Sequence, residues 1–129
     1  MPAHILIIED NEMSLALAEY LLRQSGYTIS SATDGDSGVR MALENQAHLI
    51  LCDLDLPVID GPQVVTTLRS QDAWRKVPIL AFTAATLSEE RRRALTTDFD
   101  GYISKPIDPV SFSATVGRHL APELRPSHE

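Results

Sequence analysis

The stretch Ile5-Leu6-Ile7-Ile8-Glu9-Asp10-Asn11 is the most informative about the fold, because four consecutive apolar residues are followed at once by two acids. A short apolar run rich in β-branched residues is typical of a strand that is buried on both faces of a sheet. Asn11 is a suitable helix cap, and apolar residues recur behind it at helical spacing as far as Gly26. The segment therefore predicts a strand, an acidic turn and a helix in succession.

The same unit, an apolar run followed by a helical segment, occurs five times along the chain. We predict strands at residues 5–8, 27–32, 48–52, 77–82 and 101–104. We predict helices that begin at the caps Asn11 and Asp34, near Gly61, at Ser88 and at Pro109. The second strand is the most polar, and we place it at an edge. This alternation predicts an α/β domain, a doubly wound (βα)5 fold with a parallel sheet covered on both faces.

Composition narrows the class of protein. The 129 residues are 43% hydrophobic, which suffices for one packed core, and the formal net charge of −7 argues against nucleic-acid binding. We find no run of eighteen apolar residues and no signal-peptide pattern, so we expect a cytoplasmic protein that does not enter a membrane. Cys52 is the only cysteine, which excludes an intramolecular disulfide, and we expect it to be a small buried hydrophobe. We assign no role to the four histidines.

Ligands of parallel α/β sheets bind outside the carboxyl ends of the strands. Glu9 and Asp10 follow the first predicted strand, Asp53 the third, Thr83 the fourth and Lys105 the fifth. Close carboxylates repel one another unless a cation lies between them, and a site with oxygen donors only favours Mg²⁺. An aspartate in such a cluster can attack a phosphoryl group, while an ammonium and a hydroxyl hold phosphate oxygens. The strand ends therefore predict Mg²⁺-dependent phosphoryl chemistry.

Over roughly residues 4–120 the sequence resembles the receiver domain of two-component response regulators, which has the chemotaxis-type (CheY-like), flavodoxin-like fold. The stretches that carry the resemblance are Ile-Leu-Ile-Ile-Glu-Asp-Asn (5–11), Leu-Ile-Leu-Cys-Asp-Leu-Asp-Leu-Pro-Val-Ile-Asp-Gly (49–61), Pro-Ile-Leu-Ala-Phe-Thr-Ala (78–84) and Gly-Tyr-Ile-Ser-Lys-Pro-Ile (101–107). The resemblance implies a five-stranded parallel sheet in the order 2-1-3-4-5 and a receiver domain over residues 1–120. Pro122 and Pro126 predict a flexible tail over 121–129. Residues 89–91 and 104–107 resemble the free-standing receivers of the cell-division (DivK-like) type.

The resemblance also implies roles for single residues. Asp53 is the expected phosphoacceptor and Lys105 the cation that senses the phosphate. Thr83 and Tyr102 are the expected switch pair, although Tyr102 can equally be read as ordinary half-buried core. The bond between Lys105 and Pro106 is expected to be cis. The implied Mg²⁺ ligands are Glu9, Asp10, Asp53 and the backbone carbonyl of Asp55.

A protein of this kind is a signalling module rather than an enzyme, since it catalyses only its own phosphoryl transfer and dephosphorylation. The implied phosphodonor is a sensor histidine kinase or a histidine phosphotransfer protein. The implied output is a downstream protein that reads the face made by the fourth helix, fifth strand and fifth helix (α4-β5-α5). The sequence shows no attached output domain, so we expect output through another protein.

Two other functions remain open from the sequence. Asp53-Leu54-Asp55 resembles the Asp-x-Asp element of small Mg²⁺-dependent phosphohydrolases of the haloacid dehalogenase type. That family begins with this element and places its acidic pair last, whereas here the acidic pair comes first. The other alternative is a scaffold of the same fold that works without phosphorylation. The complete set of acids, threonine and lysine at the strand ends argues against it.

Overall fold

A computed structural model describes residues 3–44, 46–54, 61–71, 74, 77–83 and 99–120, with the backbone alone for residues 61, 62 and 83. The strands are β1 (His4–Ile8), β2 (Thr28–Ala32), β3 (Leu49–Asp53), β4 (Ile79–Thr83) and β5 (Gly101–Ser104). The helices within these residues are α1 (Glu12–Gln24), α2 (Gly35–Glu44), α3 (Gly61–Arg69) and a C-terminal helix (Phe112–Arg118). The helix predicted from Ser88 and the predicted tail lie outside the described residues.

The five strands form one parallel sheet in the order β2-β1-β3-β4-β5. This confirms the predicted doubly wound topology and the edge position of the second strand. In the centre of the sheet Ile8 of β1 lies opposite Cys52 of β3. The residues that follow, Glu9 and Asp53, are therefore neighbours at the carboxyl ends of the two central strands.

The sheet divides the interior into two apolar clusters. Alternate residues of β1 point to opposite faces, so Ile5 and Ile7 join one cluster while Leu6 and Ile8 join the other. The first cluster contains buried residues of α1 and of the C-terminal helix, and the second contains buried residues of α2 and α3. Cys52 belongs to the second cluster and is fully buried, as predicted. Both faces of the central strands are therefore covered, which explains why these strands are continuously apolar.

The helix caps follow the sequence prediction. The side chain of Asn11 accepts a hydrogen bond from the Ser14 N–H at 2.9 Å, and that of Asp34 accepts one from the Ser37 N–H at 2.7 Å. The latter bond is the main reason why the pKa of Asp34 lies below its usual value. Behind α1 the chain turns at Gly26, whose φ of 96° lies in the left-handed region that glycine tolerates.

Several predicted boundaries differ from the structure by one to three residues, and two of the shifts have a clear local cause. The last helix begins at Phe112 rather than at Pro109, because the Asp108 side chain accepts the N–H of Val110 in a turn that precedes the helix. The second strand begins one residue late, since the N–H of Tyr27 donates to the Leu22 carbonyl at the end of α1.

Within the described residues, no helix has the length and apolar character that a membrane span requires.

Helix α2 lies very close to β1 at one point. A Cβ added to Gly38 would lie 2.5 Å from Cδ1 of Ile8, which is far inside van der Waals contact. Ile8 is itself fully buried and directly precedes Glu9. The absence of a side chain at position 38 is therefore what lets the helix pack on the last residue of β1.

At the amino edge of the sheet, Arg69 at the end of α3 joins several backbone groups. Its Nη1 donates to the carbonyls of Trp74 and Val77, both at 2.7 Å, and its Nη2 donates to Asp100 Oδ2 at 2.8 Å. The same Asp100 oxygen accepts the backbone N–H of Ile79 at 2.8 Å. This amino-edge clamp, defined as Arg69 and Asp100, fixes the chain on the approach to β4 and β5.

Two histidines meet at the same edge. The backbone N–H of His4 donates to Nδ1 of His48 at 2.8 Å, and the His48 N–H donates to the His4 carbonyl at 2.8 Å. The His4 ring lies 2.7 Å from the hydroxyls of both Thr28 and Ser30 on β2. His4 therefore ties β1 to both neighbouring strands, a contact that the sequence analysis did not anticipate.

Candidate functional site

Three carboxylates meet at the carboxyl edge of the sheet, where the sequence predicted them. One carboxylate oxygen from each of Glu9, Asp10 and Asp53 lies within 4.8 Å of the others. Glu9 follows β1 and is fully buried, Asp53 ends β3 and is 4% exposed, and Asp10 is exposed. The site therefore has a closed inner side and an open outer side, at which a ligand can enter.

Local backbone bonds hold the acids in place. The N–H of Glu9 donates to the Ala32 carbonyl at 3.0 Å, which continues the pairing of β1 with β2 by one residue. Glu9 Oε1 accepts the N–H of Asn11 at 3.0 Å, while the Asn11 side chain caps α1. Asn11 therefore joins the acidic turn to the helix cap, since its backbone binds Glu9 and its side chain caps α1.

Lys105 supplies the positive charge of the site. Its Nζ lies 2.7 Å from Glu9 Oε2 and 3.3 Å from Asp53 Oδ2, and its side chain is 13% exposed. Burial by itself lowers the pKa of Lys105, but the contact with Glu9 and the charge of Asp53 outweigh it and raise the pKa above the usual lysine value. The ammonium therefore stays charged at neutral pH and offsets part of the acidic charge.

Lys105 also lies against an aromatic side chain that the sequence analysis missed. Its Nζ is 5.8 Å from the centre of the Phe82 ring, which stacks on Phe112 with ring centres 6.1 Å apart. An ammonium at this distance from an aromatic face is attracted by the ring. The sequence offered one signal for this contact, because Phe82 directly precedes Thr83 in β4 and therefore lies at the same edge of the sheet.

The remaining predicted site residues are located as follows. Thr83 is the last residue of β4, with its backbone opposite Ser104 of β5. Tyr102 lies opposite Ala81 and is partly buried against the second apolar cluster. The Lys105–Pro106 peptide bond is cis. Asp55 lies outside the described residues.

The donor set suits a hard divalent cation. All three acids offer oxygen ligands, which Mg²⁺ prefers, and crowded carboxylates are relieved by a cation. Glu9 Oε2 is buried and receives no hydrogen bond of suitable geometry from the described residues, so charge alone compensates it. The residues present therefore fit a magnesium ion, with Asp10 on the side open to solvent.

Comparison with known proteins gives one consistent family. The response regulator receiver domain family matches residues 5–116. The polar-differentiation response regulator DivK of Brucella anthropi is 33% identical over 120 residues, which cover 93% of this chain and 98% of the relative. This match bears out the predicted likeness to the cell-division type.

Solved structures agree with the sequence match. The chemotaxis response regulator CheY4 of Vibrio cholerae is 26% identical with a TM-score of 0.87, over 93% of this chain and all of that one. The receiver domain of a sensor histidine kinase from Pseudomonas aeruginosa is 33% identical with a TM-score of 0.83, over 92% and 97% of the two chains. That neighbour holds a magnesium ion in its active-site cleft.

Proposed function

The chain belongs to the response regulator receiver domains, and we propose that it accepts a phosphoryl group on Asp53 from a phosphohistidine. The donor is a sensor histidine kinase or a histidine phosphotransfer protein. The observation that carries the proposal is the buried Asp53 carboxylate beside Glu9 and Asp10, with Lys105 Nζ at 3.3 Å. Family membership favours this function over a phosphohydrolase of the haloacid dehalogenase type.

The proposed reaction is an in-line transfer between two protein side chains. A carboxylate oxygen of Asp53 attacks phosphorus, a P–O bond forms, and the P–N bond to the donor imidazole breaks. The electron pair of that bond stays on the imidazole nitrogen, which then takes a proton from water. The product is an acyl phosphate with a charge near −2, and Lys105 lies where it can pair with the new oxygens.

The cation belongs to the proposal as well. Glu9, Asp10, Asp53 and the backbone carbonyl of Asp55 would hold Mg²⁺. When bound, the ion would reduce the repulsion between the attacking carboxylate and the phosphoryl oxygens. The protein groups contribute the fixed positions of the acids and the exclusion of water from the inner side of the site.

Phosphorylation is proposed to switch one surface of the domain. The Thr83 hydroxyl would turn toward the phosphoryl group, and the Tyr102 ring would move into the vacated space. The surface made by the predicted fourth helix, β5 and the C-terminal helix would then change shape for a downstream protein. Tyr102 suits this role because it is partly buried and amphipathic, so inward and outward rotamers can be close in energy.

The rest of the proposal concerns the whole protein. We propose that the receiver domain occupies residues 1–120, and the tail predicted for residues 121–129 lies outside the described residues. The protein acts in the cytoplasm as a signalling module, has no nucleic-acid or membrane partner, and catalyses only its own phosphoryl transfer and dephosphorylation.

Phosphorylation by a small donor tests the assignment of Asp53. Wild-type protein treated with acetyl phosphate and Mg²⁺ should gain the mass of one phosphoryl group, and Asp53→Asn should gain none. Asp36→Asn is the matched control, since Asp36 is an exposed acid on α2 and should leave phosphorylation unchanged. Full phosphorylation of Asp53→Asn would refute the assignment, and an unmodified wild-type protein would favour the scaffold alternative.

A second experiment tests the switch. Thr83→Ala should keep most of the Asp53 phosphorylation but lose its coupling to Tyr102. NMR signals of the Tyr102 ring, recorded with and without beryllofluoride and Mg²⁺, should shift in the wild type and stay in place in Thr83→Ala. A ring whose signals do not respond in the wild type would show that Tyr102 is static core.

A further inference from the structure

Two carboxylates alone do not fix where the Lys105 ammonium lies. Its Nζ is 2.7 Å from Glu9 Oε2 and 3.3 Å from Asp53 Oδ2. Coulombic attraction has no preferred direction, and the lysine side chain is a flexible stem that carries a compact charge. A third contact with a rigid group therefore narrows the positions that the ammonium can adopt.

The ring of Phe82 provides such a contact. Its centre is 5.8 Å from Lys105 Nζ, a distance at which the negative face of an aromatic ring attracts a cation. The ring does not accept hydrogen bonds as a carboxylate does, so the ammonium keeps its three N–H donors for oxygen atoms. A phosphoryl group on Asp53 can therefore receive those donors while the ammonium stays in contact with the ring.

The backbone places Phe82 between the strand that carries the phosphoacceptor and the strand that precedes the lysine. In the sheet, Phe82 lies opposite Asp53 of β3 and opposite Ile103 of β5. Both Phe82 and Ile103 belong to the first apolar cluster. Cys52 belongs to the second cluster, so the next side chain, that of Asp53, points to the opposite face, where Phe82 lies. The ring and the phosphoacceptor therefore lie on one face of the sheet.

The Phe82 ring is itself held in place. It is buried and stacks on Phe112, with ring centres 6.1 Å apart and planes inclined by 22°. Phe112 is also buried and is the first residue of the C-terminal helix. Rings packed in this way have little freedom, because a close-packed interior leaves no room for another rotamer. The ammonium therefore lies against a ring that is anchored in the apolar core.

We propose that Phe82 is a positioning residue: its ring holds the Lys105 ammonium where it meets the phosphoryl group that forms on Asp53. The inference rests on the proposed function. Without the ring, the ammonium would spend part of its time away from the transferring group and would stabilise the charge of the transition state less often. The consequence is a slower transfer from a small phosphodonor in a protein whose acids and lysine are all intact.

The first experiment locates the ammonium without any phosphodonor. The sequence contains two lysines, Lys76 and Lys105, so protein labelled with ¹³C at the lysine ε-carbon gives two NMR signals, and Lys105→Arg identifies the second. Ring current from Phe82 should move the Lys105 ε-protons upfield, and restricted motion should make the two protons inequivalent. Both effects should be lost in Phe82→Leu, which has an aliphatic side chain in place of the ring. Identical signals in the wild type and in Phe82→Leu would overturn the inference.

The second experiment separates the charge distribution of the ring from its shape. Phenylalanine with one, two or three fluorine atoms is introduced at position 82, because fluorine weakens the negative face of the ring and changes its volume little. With acetyl phosphate and saturating Mg²⁺, the rate of Asp53 labelling should fall stepwise along the series, and Phe82→Leu should retain about a third of the wild-type rate. The same analogues at Phe99, a buried residue of the second apolar cluster, are the control and should leave the rate unchanged.

The outcomes distinguish this inference from the proposed function. A labelling rate that ignores fluorine at Phe82, or that responds equally to fluorine at Phe99, overturns the positioning role, while labelling of the wild type leaves the proposed function in place. If a thermal melt shows that Phe82→Leu does not fold, the fluorinated proteins decide alone, because they keep the ring. A wild type that acetyl phosphate never labels refutes the proposed function, and the ε-proton signals then decide by themselves whether the ring positions the ammonium.

Discussion

Charged side chains lie at both edges of the sheet. Those at the amino edge have well-placed partners for their charges and hydrogen bonds, whereas those at the carboxyl edge do not. At the amino edge, the Arg69 guanidinium meets two carbonyls and a carboxylate, and Asp100 accepts from Arg69 and from the backbone. At the carboxyl edge, among the residues that the structure describes, three acids lie around the Lys105 ammonium, and a buried oxygen of Glu9 lacks a hydrogen bond of suitable geometry.

The difference separates stability from function. Paired and hydrogen-bonded charges at the amino edge hold β4 and β5 in place, so we expect that edge to stabilise the fold. At the carboxyl edge the fold holds like charges together at an energetic cost. A bound cation would relieve this repulsion, and the same carboxylates can take part in phosphoryl transfer. Substitutions and metal at the two edges should therefore affect stability in opposite ways.

The largest effect on stability is expected at the amino edge. Arg69→Ala should lower the free energy of unfolding by about 3 kcal/mol, because it leaves the carbonyls of Trp74 and Val77 without their donor. Urea denaturation measures the loss. Arg40→Ala is the control, since the Arg40–Asp36 pair is exposed and should contribute only a few tenths of a kcal/mol. Equal losses in the two variants would contradict the assignment of the clamp.

Metal should stabilise the carboxyl edge. Mg²⁺ at ten times its dissociation constant should raise the free energy of unfolding by about 1.4 kcal/mol, because it binds the folded state alone. Thermal melts with and without millimolar Mg²⁺ show the effect as a higher melting temperature. Asp10→Asn should reduce the shift, and a melting temperature independent of Mg²⁺ would count against the site.

Removing an acid from the carboxyl edge should raise the free energy of unfolding, whereas removing a charge from the amino edge should lower it. In metal-free buffer, Asp53→Asn should raise the free energy of unfolding by about 1 kcal/mol, because repulsion from Glu9 and Asp10 is relieved while the Glu9–Lys105 pair remains. Urea denaturation in the presence of a chelator measures this gain. A loss of stability comparable to that of Arg69→Ala would erase the distinction between the edges.

The smallest effect concerns pH and His4. Burial, followed by the nearby His48, lowers the pKa of His4 below its usual value of 6.5. The unfolded chain therefore binds a proton more readily than the folded one, so the stability due to neutral His4 is present above pH 6.5 and is lost as pH falls through the lower folded pKa. His4→Gln should flatten this part of the stability profile in denaturation at a series of pH values. An identical slope in both proteins would assign the effect to another group.

The sequence was most informative where the chemistry is local. The caps Asn11 and Asp34 were predictable, because each lies next to the amides that it binds. The acids and Lys105 were predictable as a group, since parallel topology brings all strand ends to one edge. The start of the last helix was not, because Pro109 suits a first helical turn, whereas the Asp108 side chain stabilises a turn there that precedes the helix.

Contacts between distant residues that carry no strand-end signal could not be foreseen. His4 and His48 are 44 residues apart and meet only because β1 and β3 pair in one register. Arg69 and Asp100 are 31 residues apart and meet because the end of α3 lies beside the amino ends of the paired strands β4 and β5. Phe82 differs from these, because its place before Thr83 was visible, but an apolar residue in a buried strand gives no sign that an ammonium will lie over it.

The close approach of α2 to β1 bears on which substitutions this protein can tolerate during evolution. Gly38 lies on a helix that contributes no ligand to the site, yet any larger residue there would push on Ile8, the neighbour of Glu9. A survey of variants should therefore find position 38 as restricted as the acids themselves. Its restriction would come from shape rather than chemistry, so a smaller residue at position 8 should relieve it.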